Sequence, residues 1–221
     1  MPPKPRRFDP ATVRGALSAQ WGALVGYTAE LPPQRLAAPS RLPAWTVRQL
    51  VAHIALGVGA VRRGLAQPGP ERPDLSLASW ARGTASAAAA IDTDTREVAQ
   101  GGIVLAAEVA AAERALSAAA DGQIVVMRLG AMRLGDLLVT RLVEAVVHAD
   151  DLDPEFAHDR AALALVTKAL ADVFAAKAPG RAVELRVPPF AAVQCVEGPR
   201  HTRGTPRSAV ETDPLTWVRL A

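Results

Sequence analysis

Apolar residues recur at helical spacing from the beginning of the chain, and the first run starts near residue 10. Asp9 followed by Pro10 is typical of a helix N-cap and the first helical residue. The apolar positions that follow lie three to seven residues apart: Val13, Leu17, Trp21, Leu24 and Leu31. We therefore predict a helix over about residues 10–30. The next stretch, PPQRLAAPSRLPAW, contains four prolines and predicts a loop.

A capping box and an apolar stripe indicate a second helix. Thr46 precedes Gln49 by three residues, which predicts a helix that starts at Val47. The stripe runs to about residue 65 and consists of Val47, Leu50, Val51, Ile54, Val58, Val61 and Leu65. His53 lies at the margin of this stripe, so it can face inward if the helix belongs to a bundle.

The middle of the chain is rich in alanine and ends in a strongly apolar helix. Its periodicity predicts a helix over about residues 103–119, whereas the Gly101-Gly102 pair leaves the preceding half unassigned. QIVVMRLGAMRLG reads as extended, and a further helix over about residues 134–149 is predicted to be capped from Gly135 or Asp136. Because that helix is apolar on most of its circumference, it belongs inside a bundle.

The pattern changes after residue 155. It predicts a helix over 160–177, two strands in AVELRVPPF and AVQCVEG joined by a tight proline-containing turn, and a last helix that starts at Asp213-Pro214. The predicted fold class is thus α+β, mainly α. A helical bundle spans residues 9–155, and a small α+β part spans residues 156–221.

Composition and charge narrow the classes of function. The 25 Lys and Arg residues nearly balance 22 Asp and Glu residues, and the dense basic cluster is only KPRR at residues 4–7, so we expect no nucleic acid partner. A single cysteine, Cys195, fits a reducing compartment, and neither a secretory signal nor a membrane span is recognisable; we expect a cytoplasmic protein. The absence of a phosphate-binding glycine loop, G-x-S-x-G and CxxC argues against nucleotide, serine-hydrolase and zinc-finger functions.

The buried helix carries two residues that can bind a metal. In RLVEAVVHADDL, Glu144 and His148 are four residues apart, which places them on one face about one turn apart. With His53 they supply one carboxylate and two imidazoles, the ligand set of an open catalytic-type zinc site. Nickel, iron or cobalt would accept the same set. Burial of a lone carboxylate costs several kcal/mol, so Glu144 requires a partner.

The same residues can also have purely structural roles, without a metal. Glu144 can pair with Arg141 or Arg133 instead, while His148 donates to a backbone carbonyl. Arg141 shares the face of Glu144, and it is either that structural partner or the receptor for a substrate carboxylate. Asp151 follows His148 by three residues and either orients its imidazole or caps the helix end.

Two segments together carry a resemblance to a known family. LPAWTVRQLVAHIA and RLVEAVVHADDL resemble the mycothiol-dependent maleylpyruvate isomerase family over roughly residues 10–155. The resemblance implies a DinB-like four-helix bundle that binds a divalent metal, usually zinc. The histidine of W-T-V-x-x-L-x-x-H and the Glu and His of E-x-x-x-H-x-x-D bind it in that family; here they are His53, Glu144 and His148.

The C-terminal segments VELRVPPFAAVQC and VETDPLTWVRLA are similar to bacterial sterol carrier protein-like domains. Those domains usually continue past W-x-R-L-A with a small-Gly-Arg step, whereas this sequence ends at Ala221, so we expect a shortened domain, incomplete or completed by another subunit of a homo-oligomer. Together the resemblances imply isomerase or transferase chemistry on a small electrophilic acid, with a thiol such as mycothiol. The alternative is a non-catalytic protein that binds a lipid or small apolar ligand.

Five other residues receive structural predictions. We expect Asp150 to face solvent, His158 and His201 to be solvated loop histidines, and Cys195 to be an inert buried thiol. Trp45 directly precedes the predicted N-cap, so we expect it to pack where it fixes the approach to the second helix.

Overall fold

The computed structural model describes residues 6–199 and 208–221. Within these residues the helices are α1 (Pro10–Ala29), α2 (Pro33–Ala37), α3 (Val47–Leu65), α4 (Leu77–Gly83), α5 (Ala88–Gly101), α6 (Leu105–Ser117), α7 (Leu134–Leu152), α8 (Arg160–Lys177) and α9 (Pro214–Leu220). The strands are β1 (Ile124–Met127), β2 (Gly130–Arg133), β3 (Val183–Val187), β4 (Ala191–Cys195) and β5 (Ser208–Glu211). A 3₁₀ turn, Thr84–Ala87, joins α4 to α5.

Four long helices form the bundle. Helix α1 packs against α7, α7 against α3, α3 against α6, and α6 against α1, so the four close into a ring around one core. As its composition predicts, α7 is buried on most of its surface, and Leu138, Leu142 and Val146 are at most 1% exposed. The mainly helical α+β fold with an N-terminal four-helix bundle is thereby confirmed. No helix among the described residues combines the length and apolar character that crossing a membrane requires.

Side-chain caps set where three of the long helices begin. Asp9 accepts a hydrogen bond from the Thr12 amide at 2.8 Å. Thr46 and Gln49 form the predicted reciprocal capping box, with distances of 2.8 and 3.3 Å. Asp159 caps α8 through the Ala162 amide at 2.8 Å. The sequence signals placed the starts of α1 and α3 correctly because each of these bonds joins residues only three apart. The cap of α8 was not predicted.

Three local predictions differ from the structure. The proline-rich stretch is not all loop: Pro33 occupies the first turn of α2, where a missing amide hydrogen costs nothing. The half before the glycine pair, which the sequence left unassigned, is helical: α5 ends at Gly101, and Gly102 takes a left-handed conformation with φ +77°. Finally, α7 has Arg133 at its N-cap position with no side-chain cap, so the predicted caps at Gly135 or Asp136 are wrong.

The C-terminal part packs a small sheet on α8. Its strand order is β4-β3-β5, with β3 antiparallel to β4 and parallel to β5. The sequence did not predict β5, whose four residues are all exposed and lack an apolar face. A separate small core comprises Ala171, Leu185, Val187, Cys195 and Trp217. Cys195 is buried as predicted, and burial raises the pKa of its thiol, which keeps it in the unreactive form.

Asp150 does not face solvent, contrary to the prediction. It is 4% exposed near the end of α7, and its carboxylate accepts hydrogen bonds from Arg41 Nη1 at 2.8 Å and from Arg219 Nη2 at 2.7 Å. Arg41 lies in the segment before α3, and Arg219 lies on α9. A single buried carboxylate therefore joins the approach to α3 and the C-terminal helix to the end of α7.

His158 is likewise not a solvated loop residue, and His201 lies outside the described residues. Gln20 Oε1 accepts from the Asp159 amide at 3.0 Å, so Gln20 Nε2 is the donor to His158 Nδ1 at 3.2 Å. His158 Nε2 is buried without a hydrogen-bond partner among the described residues. Burial lowers the pKa of His158. This network requires the neutral imidazole, because a hydrogen on Nδ1 would point at the Gln20 amide nitrogen.

We expect Asp150→Asn to destabilise the fold. The substitution leaves two arginines beside a neutral amide, and because both guanidinium side chains are partly exposed we expect a loss of about 2 kcal/mol in the free energy of unfolding. Urea denaturation measures this loss. Asp172→Asn is the matched control, since the Asp172 side chain is 28% exposed, against 6% for Asp150, and the expected change is below about 1 kcal/mol. Equal effects of the two substitutions would contradict the structural role of Asp150.

We expect His158 to make the fold less stable in acid. The unfolded chain takes up a proton on this residue near pH 6.5, whereas the folded chain resists protonation because its pKa is lowered. Stability is therefore lost as the pH falls below about 6.5, by at most about 2 kcal/mol between pH 7 and 5. Denaturation of the wild type and His158→Gln at both pH values measures the difference, since other titrating groups are common to both. Identical pH dependence would exclude this contribution.

Candidate functional site

The packing of α3 on α7 brings together two histidines that are 95 positions apart in the sequence. The ring centroids of His53 and His148 are 4.8 Å apart, and the rings meet edge to face at 82°. The capping box fixes where α3 begins and therefore which way His53 projects from it. Both side chains lie beside the partly buried Glu144 and Arg141, which line the same region between the two helices.

Asp151 contacts His148 directly. Its Oδ2 lies 3.0 Å from His148 Nδ1, and both side chains are less than one-fifth exposed. An ionised carboxylate can only accept, so Nδ1 carries the hydrogen and Nε2 of the neutral ring keeps a free lone pair. Of the two interpretations of Asp151 from the sequence, the structure therefore has the one in which it orients the imidazole.

His53 is held in a drier environment. Its Nδ1 lies 3.4 Å from the hydroxyl oxygen of Thr95, a fully buried residue on α5, and its ring is 4.9 Å from that of Trp45. Burial lowers the pKa of His53 to about 3, and the positive charge of Arg141 acts in the same direction. His53 is consequently a neutral imidazole at physiological pH, the form that binds metals.

Glu144 is paired with Arg141. Arg141 Nη2 donates to Glu144 Oε1 and Nη1 lies against Oε2, both at 2.8 Å, while the Arg141 side chain is only 10% exposed. Gly57 on α3 faces this pair: a Cβ there would lie 2.9 Å from Glu144 Oε2. The ion pair that the sequence offered as an alternative is thus present. Among the described residues, no group of three or more His, Cys, Asp or Glu side chains is arranged to hold a metal ion.

The donor chemistry nevertheless fits a divalent metal. Two imidazoles have their Nδ1 atoms next to protein oxygens, which leaves both Nε2 atoms available as ligands, and a carboxylate lies one helical turn from His148. Glu144 would complete the set by leaving Arg141. Such a set of one carboxylate and two imidazoles suits zinc and leaves a coordination position open.

A cavity of about 390 Å³ adjoins His53, Arg141 and Glu144. Helices α3, α4, α5 and α7 and the β1–β2 hairpin form its walls, which are mainly apolar and include Trp80 and Met127. The other charged residues that line it are Arg63, Asp94 and Arg128, and Asp94 pairs with Arg128. This arrangement can hold a small molecule with its polar end towards the histidines.

Sequence reasoning missed the contribution of α5. Asp92 accepts a hydrogen bond from Trp45 Nε1 at 2.7 Å and pairs with Arg96, and these bonds lower the pKa of its carboxyl. Together with Thr95 they fasten α5 over Trp45, which packs on His53. Trp45 thus fixes the approach to α3 as expected and also covers the histidine. The sequence signal that could have indicated this contribution of α5 is the row of polar residues in an otherwise alanine-rich stretch.

Two solved structures with a similar fold are of the same enzyme. The chain superposes on a crystal structure of the mycothiol-dependent maleylpyruvate isomerase with a TM-score of 0.57 and 15% identity, covering 95% of this chain and 85% of the other. A histidine-to-alanine mutant of that enzyme gives a TM-score of 0.56 with the same identity and coverage. At this identity the similarity concerns the fold. No curated protein matches the sequence.

Two family models match the chain. Residues 159–221 match the model described as a bacterial SCP ortholog. Residues 17–153, more than half of the sequence, match the model of the mycothiol maleylpyruvate isomerase N-terminal domain. Both resemblances inferred from the sequence motifs are therefore confirmed, and the chain belongs to the mycothiol maleylpyruvate isomerase family, with a C-terminal domain of the bacterial SCP type.

Proposed function

We propose that this protein is an isomerase or transferase that uses a divalent metal, most simply zinc, and a low-molecular-weight thiol to act on a small electrophilic acid. The observation that carries the proposal is the edge-to-face contact of His53 and His148 beside a cavity of about 390 Å³. The family match makes mycothiol the first thiol to test.

The proposed metal ligands are His53, Glu144 and His148. A divalent metal with an open position lowers the pKa of a bound thiol and so supplies a thiolate nucleophile at neutral pH. The protein's own residues prepare the site for this chemistry. Burial keeps His53 neutral, Asp151 orients His148, and the mainly apolar cavity walls exclude water from the acid.

The alternative function, binding of a lipid or apolar ligand by the C-terminal part, has less support. The cavity described above lies in the bundle. In the C-terminal part, the side chains of Leu185, Val187 and Trp217 pack together into the small core.

The first test of the proposal is the metal content of the purified protein. We expect about one zinc per chain in the wild type, and almost none in His53→Ala or His148→Ala, because each substitution removes one of three protein ligands. Elemental analysis after gel filtration measures the content. His158→Gln is the matched control, since His158 lies elsewhere in the bundle and should leave the content unchanged.

Activity decides between catalysis and binding. With zinc bound, we expect consumption of an electrophilic unsaturated acid that requires mycothiol and stops when the metal is removed by a chelator. The proposal fails if the protein folds normally without metal, shows no thiol-dependent reaction and binds fatty acyl chains instead.

The residues that orient the histidines should tune the affinity for metal. We expect Asp151→Asn to weaken zinc binding by about 10- to 100-fold, because the imidazole loses its carboxylate partner. Thr95→Val should have a smaller effect in the same direction, since the contact is longer and uncharged. Competition with a chromophoric chelator measures both. Asp153→Asn is the control for the loss of a carboxylate as such: Asp153 accepts a hydrogen bond from Tyr27 and not from a histidine, so its zinc affinity should not change.

A further inference from the structure

The charge of Arg141 has one carboxylate partner. Both terminal nitrogens of its guanidinium bind the carboxylate of Glu144 at 2.8 Å, and its Nε donates to Thr140 Oγ1 at 3.2 Å. The side chain is 10% exposed. Among the described residues, Arg141 forms no other ion pair within 4.0 Å. A cation this deeply buried is costly to leave without an anion.

Glu144 is also the carboxylate that the proposed metal site requires. Its two oxygens are both engaged by the guanidinium, so a metal ion and Arg141 compete for the same acceptor. The opposite face of the pair is closed by the backbone of α3, because Gly57 lies close enough for a Cβ to reach Glu144 Oε2 at 2.9 Å. Glu144 therefore has little room on that side to accommodate a second cation without giving up part of its contact with Arg141.

Among the described residues, the cavity lining offers no spare carboxylate to replace Glu144. Its charged lining consists of three arginines and two carboxylates, and Asp94, the second carboxylate, is paired with Arg128. The formal charge of these five side chains is +3 − 2 = +1. A divalent metal would raise it to +3. An anionic ligand would then be attracted by the metal and by the guanidinium that Glu144 has left, in addition to Arg63.

We propose that Glu144 exchanges partners, from Arg141 to the metal, and that the released Arg141 guanidinium then binds the carboxylate of the acid substrate. This inference rests on the proposed function, since it assumes a metal at His53, Glu144 and His148. It assigns Arg141 as the group that selects acids. It also makes metal and acid binding cooperative, because the acid takes the place that Glu144 leaves.

The exchange predicts whether replacing Arg141 strengthens or weakens the binding of zinc. If Arg141 holds Glu144 back, Arg141→Gln should bind zinc more tightly than the wild type, by roughly tenfold for the loss of a partly buried bidentate pair. If Arg141 only supported the structure of the site, Arg141→Gln would bind zinc more weakly than the wild type. Arg141→Lys keeps the charge but cannot pair through two nitrogens, so it should lie between the two and separates pairing from long-range charge.

Cooperativity supplies the second readout. By linkage, an acid that occupies Arg141 tightens zinc binding by the same factor by which zinc tightens acid binding. Succinate is a suitable probe, because it carries carboxylates but is not an electrophile. Saturating succinate should tighten zinc binding to the wild type several-fold and should leave Arg141→Gln unchanged. An effect of succinate that survives in Arg141→Gln would mean that Arg141 is not the receptor of the carboxylate, which would overturn the proposal.

The experiment titrates zinc into each protein against a chromophoric chelator, with and without succinate, and calorimetry repeats the succinate titration on zinc-loaded protein. Circular dichroism verifies that each variant is folded. Arg128→Gln is the matched control: it removes an arginine from the same cavity, but its partner is Asp94 and not Glu144. We expect its zinc affinity to remain within about threefold of that of the wild type.

The outcomes separate the two proposals. Tighter zinc binding in Arg141→Gln and loss of the succinate effect support the exchange. Weaker or unchanged zinc binding in Arg141→Gln, or an equal rise in Arg128→Gln, overturns the exchange while the metal site stands. Absence of zinc binding by the wild type overturns the metal site and the exchange together.

Discussion

Burial of α7 is the constraint on which the rest of the structure depends. The helix is surrounded by α1, α3 and α8 and is apolar on most of its circumference, yet its second half carries Glu144, His148, Asp150 and Asp151. Polar groups in such a place need partners inside the protein. Each of these side chains has one: Arg141 for Glu144, Asp151 for His148, and two arginines for Asp150. The polar residues of the candidate site therefore also satisfy the requirement of the fold that buried polar groups have partners.

The elements that the sequence predicted well are those specified by neighbours along the chain. The starts of α1, α3 and α8 follow from caps that join residues three apart, and the burial of α7 follows from composition alone. The spacing of Glu144 and His148 likewise places them on one face without knowledge of any other helix. The two elements that the sequence did not predict have weak sequence signals: α2 is a single turn among prolines, and β5 consists of four exposed residues.

The site could be predicted only as a set of candidates, because its geometry depends on distant contacts. His53 meets His148 only if α3 and α7 are neighbours, which no local pattern states. The same is true of Thr95, and of Arg219, which reaches Asp150 from a helix near the end of the chain. Whether Glu144 binds a cationic side chain or a metal is decided by competition between partners, and spacing along a helix is compatible with both.

The charge arrangement at the site explains why a structural ion pair and a catalytic role need not exclude each other. Without a metal, a neutral His53 and a compensated Arg141–Glu144 pair leave no isolated charge at the inner end of the cavity, which favours the folded chain. In the proposed exchange, a metal ion would add two positive charges at the same place and would take the carboxylate from its guanidinium. The local field would then favour anions, and a thiolate and a carboxylate are the two anions that a thiol-dependent reaction on an acid requires. The same pair that stabilises the fold in one state would therefore create affinity for the reactants in the other.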